Sequence, residues 1–248
     1  KNAAFHAFFQ PMVDLNGKLI AAEALIRWKH PDRGIIGPDE FITVAENMGV
    51  IHQMQDTMLT QVCQTLKRLE QTTTLANDFR ISINICPSQL KSTSLPNILM
   101  KTLREFDLPP RYFMLEITEG MLMDDSRNTL AQLHAFREAG MELSMDDFGT
   151  GYSALNYLRK FDVDSIKIDR SFIEATPVSE DDMSLVKVII AMAHSMNLTV
   201  IAEGVETEAQ HDFLLEHYCN YGQGYLYGKP WSAEVIEALL SDAIPVDK

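Results

Sequence analysis

The sequence predicts an α/β protein, a modified (β/α)8 TIM-like barrel with an antiparallel strand near the N-terminus. Short β-like runs alternate with amphipathic helical runs almost from end to end, the pattern of strands wrapped by helices. Eight candidate strands fall within 248 residues, the number and chain length that such a barrel needs. Only Asp14-Leu15-Asn16-Gly17-Lys18 separates the first two, His6–Val13 and Leu19–Trp28. So short a link cannot make a helical crossover, so these strands run antiparallel. An open doubly wound sheet is the alternative.

The Asn16-Gly17 pair supplies the tight turn of that first hairpin. Asp39 is the expected N-cap of a helix over Phe41–Met48. Further strands are expected at Arg80–Ile85, Phe113–Thr118, Glu142–Asp146, Ser165–Asp169, Thr199–Ala202 and Gly222–Leu226. Between them, Leu130, Leu133 and Phe136 mark a helix that Gly140 ends. Leu185, Ile189, Met192 and Met196 recur at helical spacing and predict one apolar face. Asp124-Asp125 and Asp181-Asp182 read as acids at helix starts, beside the positive end of the dipole.

Composition narrows the function. Hydrophobic residues at 46% and charged residues at 23% exclude wholesale disorder. The longest purely apolar run, Val188 to Ala193, is six residues, far below the ~20 of a membrane span. Lys+Arg of 21 against Asp+Glu of 35 leaves a net charge of −14. That balance excludes a non-specific nucleic-acid or anionic-membrane binder, whose affinity rests on basic side chains meeting phosphates. It still permits chemistry on a phosphate ester, provided that a cation sits in the site. Cys63, Cys86 and Cys219 show no paired spacing, which predicts reduced thiols in a cytoplasmic protein. The chain opens on Lys1 without a signal peptide and reads as one domain over residues 1–248, cut from a longer polypeptide.

The chemistry is expected at the C-terminal ends of the strands. Ile81-Ser82-Ile83-Asn84-Ile85, Leu115-Glu116-Ile117-Thr118 and Ile166-Lys167-Ile168-Asp169 alternate in polarity. Their apolar face must meet the helices, so their polar face points into the barrel. Glu23, Asn84, Glu116, Asp146, Asp147, Lys167, Asp169, Glu203 and Gln223 thus converge at the end that carries barrel active sites. Two carboxylates ~4 Å apart repel by about 4 kcal/mol at an effective dielectric of ~20. This crowd therefore needs shared protons or divalent metal, and all-oxygen ligands with an Asn carbonyl favour Mg²⁺ or Mn²⁺ over zinc. The adjacent acids Asp146-Asp147 suggest two ions, the clamp used for displacement at phosphorus.

The motifs at these positions resemble those of the EAL domains, bacterial phosphodiesterases of cyclic di-GMP. They are Glu23-Ala24-Leu25-Ile26-Arg27-Trp28, Pro38-x-x-Phe41-Ile42, Asn84-x-x-Pro87, Glu116-Ile117-Thr118-Glu119, Asp146-Asp147-Phe148-Gly149-Thr150-Gly151-Tyr152-Ser153, Lys167-Ile168-Asp169, Glu203-Gly204-Val205-Glu206 and Gln223-Gly224-Tyr225. The resemblance runs from about Phe8 to Leu240 and implies hydrolysis to linear pGpG. It implies metal ligation by Glu23, Asn84, Glu116, Asp146 and Asp147, with Glu203 able to reach metal. Lys167 and Glu203 match residues of water positioning or base chemistry. Arg27 matches a phosphate-binding arginine, and Leu25, Asp169 and Gln223 fall at the substrate side. Asp169 could equally be a barrel-floor partner of Lys167. Glu119 and Glu206 resemble supports of the loop after Asp147. The family also has an antiparallel barrel strand, and its relatives often carry flanking sensory or regulatory domains.

Four further expectations follow. Cys86 stands where relatives carry Ser, and is read as an inert thiol that leaves the ligands intact. Ca²⁺ should bind without supporting catalysis. A homodimer is implied through the helix Ala154–Phe161, on Leu155, Tyr157 and Leu158, although these side chains could equally pack on the barrel. Two other functions compete: an EAL-like receptor that binds cyclic di-GMP without cutting it, and a metal-dependent barrel enzyme of enolase type. The filled ligand set argues against the first, and the lack of room for a capping domain against the second.

Overall fold

The chain reverses at once. Strands β1 (Phe5–Asp14) and β2 (Leu19–His30) pair antiparallel from Phe5↔Trp28 to Val13↔Leu19. The turn forms because Gly17 takes φ +87°, with its N–H donating to the Asp14 carbonyl at 2.9 Å. In this computed structural model the described residues are 4–73, 75–76, 79–92, 94–122, 127–150, 158 and 160–240.

Six more strands complete the barrel: β4 (Arg80–Asn84), β5 (Phe113–Thr118), β6 (Glu142–Phe148), β7 (Ser165–Ile168), β8 (Thr199–Ala202) and β9 (Tyr221–Gln223). From β2 through β9 each pairs parallel with the next. Strand β1 closes the ring by pairing antiparallel with both β2 and β9. This closure excludes the open doubly wound sheet. The short β3 (Gly34–Ile36) lies outside the ring as a hairpin partner of β2, and no period-2 pattern announced it.

The outer helices include α2 (Ile51–Thr72), α6 (Arg127–Glu138), α7 (Arg170–Glu174), α8 (Glu180–Ser195) and α9 (Glu208–Glu216), with α1 (Ile42–Asn47), α3 (Pro87–Leu90), α4 (Leu95–Glu105) and α5 (Glu119–Leu122) between strands and α10 (Ala233–Leu240) last. Helix α2 buries Met54, Met58, Val62, Leu66 and Leu69 along one stripe. Helix α6 buries Leu133 and Phe136 and is followed by Gly140 at φ +91°, as expected. The Ser179 hydroxyl caps α8, whose first turn carries Glu180, Asp181 and Asp182.

Three details differ from the sequence expectations. The buried stripe of α8 is Val186, Ile189, Ile190 and Ala193, whereas Leu185 is 39% exposed. The helix has apolar side chains on more than one face, so spacing alone could not choose the packed one. Asp39 is not an N-cap: it lies inside a 3₁₀ turn, Pro38–Glu40, and α1 starts from Phe41. The last strand ends at Gln223 rather than Leu226, because Gly224 turns the chain and its carbonyl accepts from Tyr227 and Gly228. Asp124-Asp125, Gly151, Tyr152, Leu155 and Tyr157 lie outside the described residues. Leu158 is described, and it packs in the main core of its own chain, which favours the barrel-packing reading for that residue.

Candidate active site

Inward-facing positions recur every second residue along a strand, so the barrel interior is built in tiers. The uppermost tier holds Glu23 on β2, Asn84 on β4, Glu116 on β5, Asp146 on β6, Lys167 on β7, Gln223 on β9 and, just past β8, Glu203. Lys167 is 1% exposed and is the hub. Its Nζ lies 2.5 Å from Glu203 Oε1, 2.9 Å from Glu116 Oε1, 3.4 Å from Glu23 Oε2 and 3.7 Å from Asp146 Oδ1. Glu23 is held from two further sides. Asn84 Nδ2 donates to its Oε1 at 2.7 Å, and Gln223 Nε2 donates to its Oε2 at 2.6 Å.

The strands also solve a steric problem at Asp146-Asp147. Neighbouring strand residues normally point to opposite faces. Here Met145 pairs with Ile166 and Phe148 with Ile168, so Asp146 and Asp147 together oppose Lys167. This is a β-bulge, which re-aims side chains beside active sites. Asp147 takes φ +55°, and its N–H donates to Asp146 Oδ1 at 3.0 Å. The Thr150 hydroxyl donates to the Asp147 carbonyl at 2.9 Å and so braces the bulge.

Shared charge and burial split the acids. Burial pushes the Glu23 carboxyl up, but Lys167, Gln223 and Asn84 overcome it and hold the group below its ordinary value. Burial and the neighbouring Glu23 push Glu116 well above the carboxylate range, despite Lys167. Burial raises Glu203 to about 7, against the pull of Lys167. Burial and Asp146 raise Asp147. Burial opposes the Lys167 charge, yet Asp146, Glu116 and Glu203 outweigh it and raise its pKa well above the ordinary value.

A pH dependence follows. Glu203 in the folded, metal-free protein holds its proton to about pH 7, against an ordinary 4.5. Its contribution to stability is complete below pH 4.5 and is lost as the pH rises through 7. Glu116 acts in the same direction, and Glu23, shifted the other way, changes only below its ordinary value. In EDTA the protein should therefore melt higher at pH 5 than at pH 8, by roughly 2 kcal/mol of stability. Equal melting temperatures in calorimetry would contradict this.

The remaining expected residues lie around the hub. Leu25 and Arg27 follow Glu23 on the same face of β2 at successive two-residue steps, and both are half-buried. Asp169 is not a floor partner of Lys167. It caps α7, with Oδ1 accepting from the Ser171 N–H at 3.0 Å. Glu119 is buried at the start of α5. Glu206 is ion-paired with Arg170 at 3.3 Å. Arg170, Gln10 and Tyr225 were not anticipated. They line a cleft of about 240 Å³ over Glu23, Asp146, Glu203 and Gln223. The sequence signal for Arg170 is its place directly after Lys167-Ile168-Asp169, at the mouth end of β7. Cys86 opens α3, with its Sγ 3.3 Å from Gln55 Oε1 and 3.1 Å from Ser88 Oγ.

A family model described as the EAL domain matches residues 1–230. The chain belongs to the EAL domain family. Among curated relatives, this EAL domain is 42% identical to the cyclic di-GMP phosphodiesterase NbdA of Pseudomonas aeruginosa, over 94% of this chain and 30% of that protein. It is 39% identical to the bifunctional diguanylate cyclase/cyclic di-GMP phosphodiesterase MucR of the same organism, over 93% of this chain and 33% of that one. The chain thus spans about a third of the length of these relatives. The solved PaMucR phosphodiesterase in complex with c-di-GMP superposes with a TM-score of 0.89 at 37% identity, covering 94% of both chains. The EAL domain of Mycobacterium smegmatis DcpA gives 0.81 at 31% identity, over 98% of this chain and all of the other.

EAL phosphodiesterases depend generally on divalent metal. Among the described residues no three acids, histidines or cysteines form a ready cage, because the Lys167 ammonium takes the point on which the acids converge. The donors nonetheless suit a hard cation. All are oxygens; among the described residues the buried Glu116 Oε2 has no hydrogen-bond partner, and Oε1 has the Lys167 ammonium at 2.9 Å. Such orphaned acceptors are costly unless a cation or donor meets them.

Proposed function

We propose that this EAL domain hydrolyses cyclic di-GMP to linear 5′-pGpG with bound Mg²⁺ or Mn²⁺. The convergence of Glu23, Glu116, Asp146 and Glu203 on Lys167 at the barrel mouth carries this reading. The names of the relatives NbdA and MucR support it. Chromatography of cyclic di-GMP after incubation with the protein tests it: pGpG should form with Mg²⁺ or Mn²⁺ and not in EDTA.

Glu23, Asn84, Glu116, Asp146 and Asp147 would hold two cations, with Glu203 in reach. When bound, the metal supplies charge stabilisation at the phosphoryl oxygens and a more acidic water. The chain's own groups do the rest. Lys167 donates through Nζ to the attacking water or to a phosphoryl oxygen. Glu203, near neutrality in its proton affinity, can take a proton from water and release it. Gln223 and Asn84 keep Glu23 from turning away. Leu25, Arg27 and Gln223 face the dinucleotide, Asp169 borders the substrate side where it caps α7, and Glu119 and Glu206 support the surrounding loops.

Arg27 offsets the charge problem. At −14 the protein repels an anionic dinucleotide at long range, so local contacts must hold it. A bidentate arginine–phosphate pair does so. Arg27→Ala should raise KM about tenfold or more with a smaller change in kcat, by about the 1.5–3 kcal/mol of such a contact; an unchanged KM would contradict this role. Ca²⁺, whose bonds run to ~2.3–2.6 Å against ~2.1 Å for Mg²⁺, should bind without supporting turnover. Comparable rates in the two ions would remove the tight two-ion geometry.

The wider setting belongs to the same proposal: a homodimer with flanking sensory or regulatory domains, acting in the cytoplasm. Among the described residues no helix is long and apolar enough to cross a membrane.

A further inference from the structure

Directly below the charged tier lies a second one, two residues earlier on each strand and so ~7 Å deeper. It comprises Ala21 under Glu23, Ser82 under Asn84, Met114 under Glu116, Ser144 under Asp146, Ser165 under Lys167, Ile201 under Glu203 and Tyr221 under Gln223. Barrel interiors of this class are ordinarily filled by bulky Val, Ile and Leu. Here four of the seven side chains are Ala or Ser. Met12, Ala21, Met114 and Ile201 form a small apolar cluster separate from the main core, and among the serines Ser144 and Ser165 are register partners.

The hydroxyls of Ser82 and Ser144 are buried, their residues 0% exposed, and neither has a hydrogen-bond partner among the described residues. The strand register sets their neighbours. Ser82 pairs with Glu23 on one side and Met114 on the other, and Ser144 pairs with Glu116 on one side and Ser165 on the other. The backbones of register partners stand ~4.8 Å apart, and where their side chains make no direct hydrogen bond one water can bridge them. Glu116 Oε2 is likewise without a hydrogen-bond partner among the described residues, whereas Oε1 meets the Lys167 ammonium at 2.9 Å. Ser165 and Met114 line a cavity of about 300 Å³ at the barrel floor, together with Arg80, Glu142, Asp164 and Thr199. The Ser165 hydroxyl donates to Met114 Sδ at 3.7 Å, so the unmet hydroxyls are those of Ser82 and Ser144, and Ser165 links them to the cavity. Small polar side chains of this kind meet the conditions for internal solvent.

We infer that Ser82, Ser144 and Ser165 form a hydroxyl shelf that holds ordered water under Glu116 and Lys167, in contact with the floor cavity. The shelf positions the Glu116 carboxylate from the Ser144 side and leaves its mouth side to the cation. Ser82 and Ser144 are thus positioning residues. The part that concerns the cation rests on the proposed reaction; the solvent itself does not.

The test uses metal-free protein first. A high-resolution crystal structure should show water within 3.2 Å of both hydroxyls, the upper bound of a good hydrogen bond. The variant Ser82→Ala/Ser144→Ala should melt lower than the parent, because the bridged polar groups lose their donors. Dry, orphaned hydroxyls would give the opposite shift, since removing them relieves a desolvation cost. The same variant should bind Mn²⁺ about tenfold more weakly by calorimetry, the size expected when the support of a ligand is lost. A dry shelf, a raised melting temperature or an unchanged Mn²⁺ affinity would each overturn the inference. Failure of the parent protein to bind Mn²⁺ would instead count against the proposed reaction, and the crystal waters and melting shift would still decide the shelf.

Discussion

Lys167→Ala should lower kcat by a factor of about 10³ or more, the size expected when a preorganised donor in a water-excluded site is lost. The same substitution should weaken the fold. Lys167 is the counter-charge of four carboxylates, within 2.5–3.7 Å of each. Removing one member of a buried ion cluster costs about 3–5 kcal/mol, because the others remain without a counter-charge. The acids can take up protons, so the loss should be deeper at pH 8 than at pH 5. Divalent cation should then restore much of the variant's stability, since it supplies the charge that the ammonium supplied. Steady-state kinetics and melting curves with and without Mg²⁺ read both effects. A variant with near-parental kcat would show that Lys167 is a structural counter-ion alone.

Asp146→Ala should abolish turnover for two reasons that add. It removes a metal donor, and it removes the Oδ1 acceptor that meets the Asp147 N–H at 3.0 Å within the bulge. Asp147 sits at φ +55°, a region that costs roughly 1–2 kcal/mol per residue for an L side chain. Without its partner the bulge should relax and turn Asp147 away. Loss should again reach ~10³-fold or more, with Mn²⁺ binding reduced in parallel. Glu23→Ala should be comparably severe, since Asn84, Gln223 and Lys167 all converge on that carboxylate. Lys167 keeps three acidic partners in either variant, so the fold should survive. Retained turnover in Asp146→Ala would exclude it as a ligand.

The barrel and its mouth were legible in the chain because period-2 alternation in β4, β5 and β7 fixes which side chains point inward. Hairpin closure was legible because Asn16-Gly17 leaves no room for a crossover. The bulge was not. A two-against-one register is a property of strand pairing, and Asp146-Asp147 alone shows only that two acids are adjacent. Asp169 was ambiguous for a related reason: its step along β7 continues the strand pattern, but the strand ends at Ile168 and the side chain turns back to cap α7. Arg170, in the cleft through the start of a short helix, carries no periodic signal. The serine tier was visible as S-x-N, S-x-D and S-x-K spacings. Only burial and register gave those serines a meaning beyond strand propensity.

The most direct measurement is the fate of water oxygen. With Mg²⁺ or Mn²⁺ in ¹⁸O-enriched water, the protein should convert cyclic di-GMP to pGpG. One labelled oxygen should enter the terminal 5′-phosphate as the bond from phosphorus to the 3′ oxygen breaks and that oxygen gains a proton. EDTA should leave the cyclic substrate intact. Unlabelled product, or binding of cyclic di-GMP without cleavage under any divalent cation, would contradict a metal-dependent hydrolase at this site.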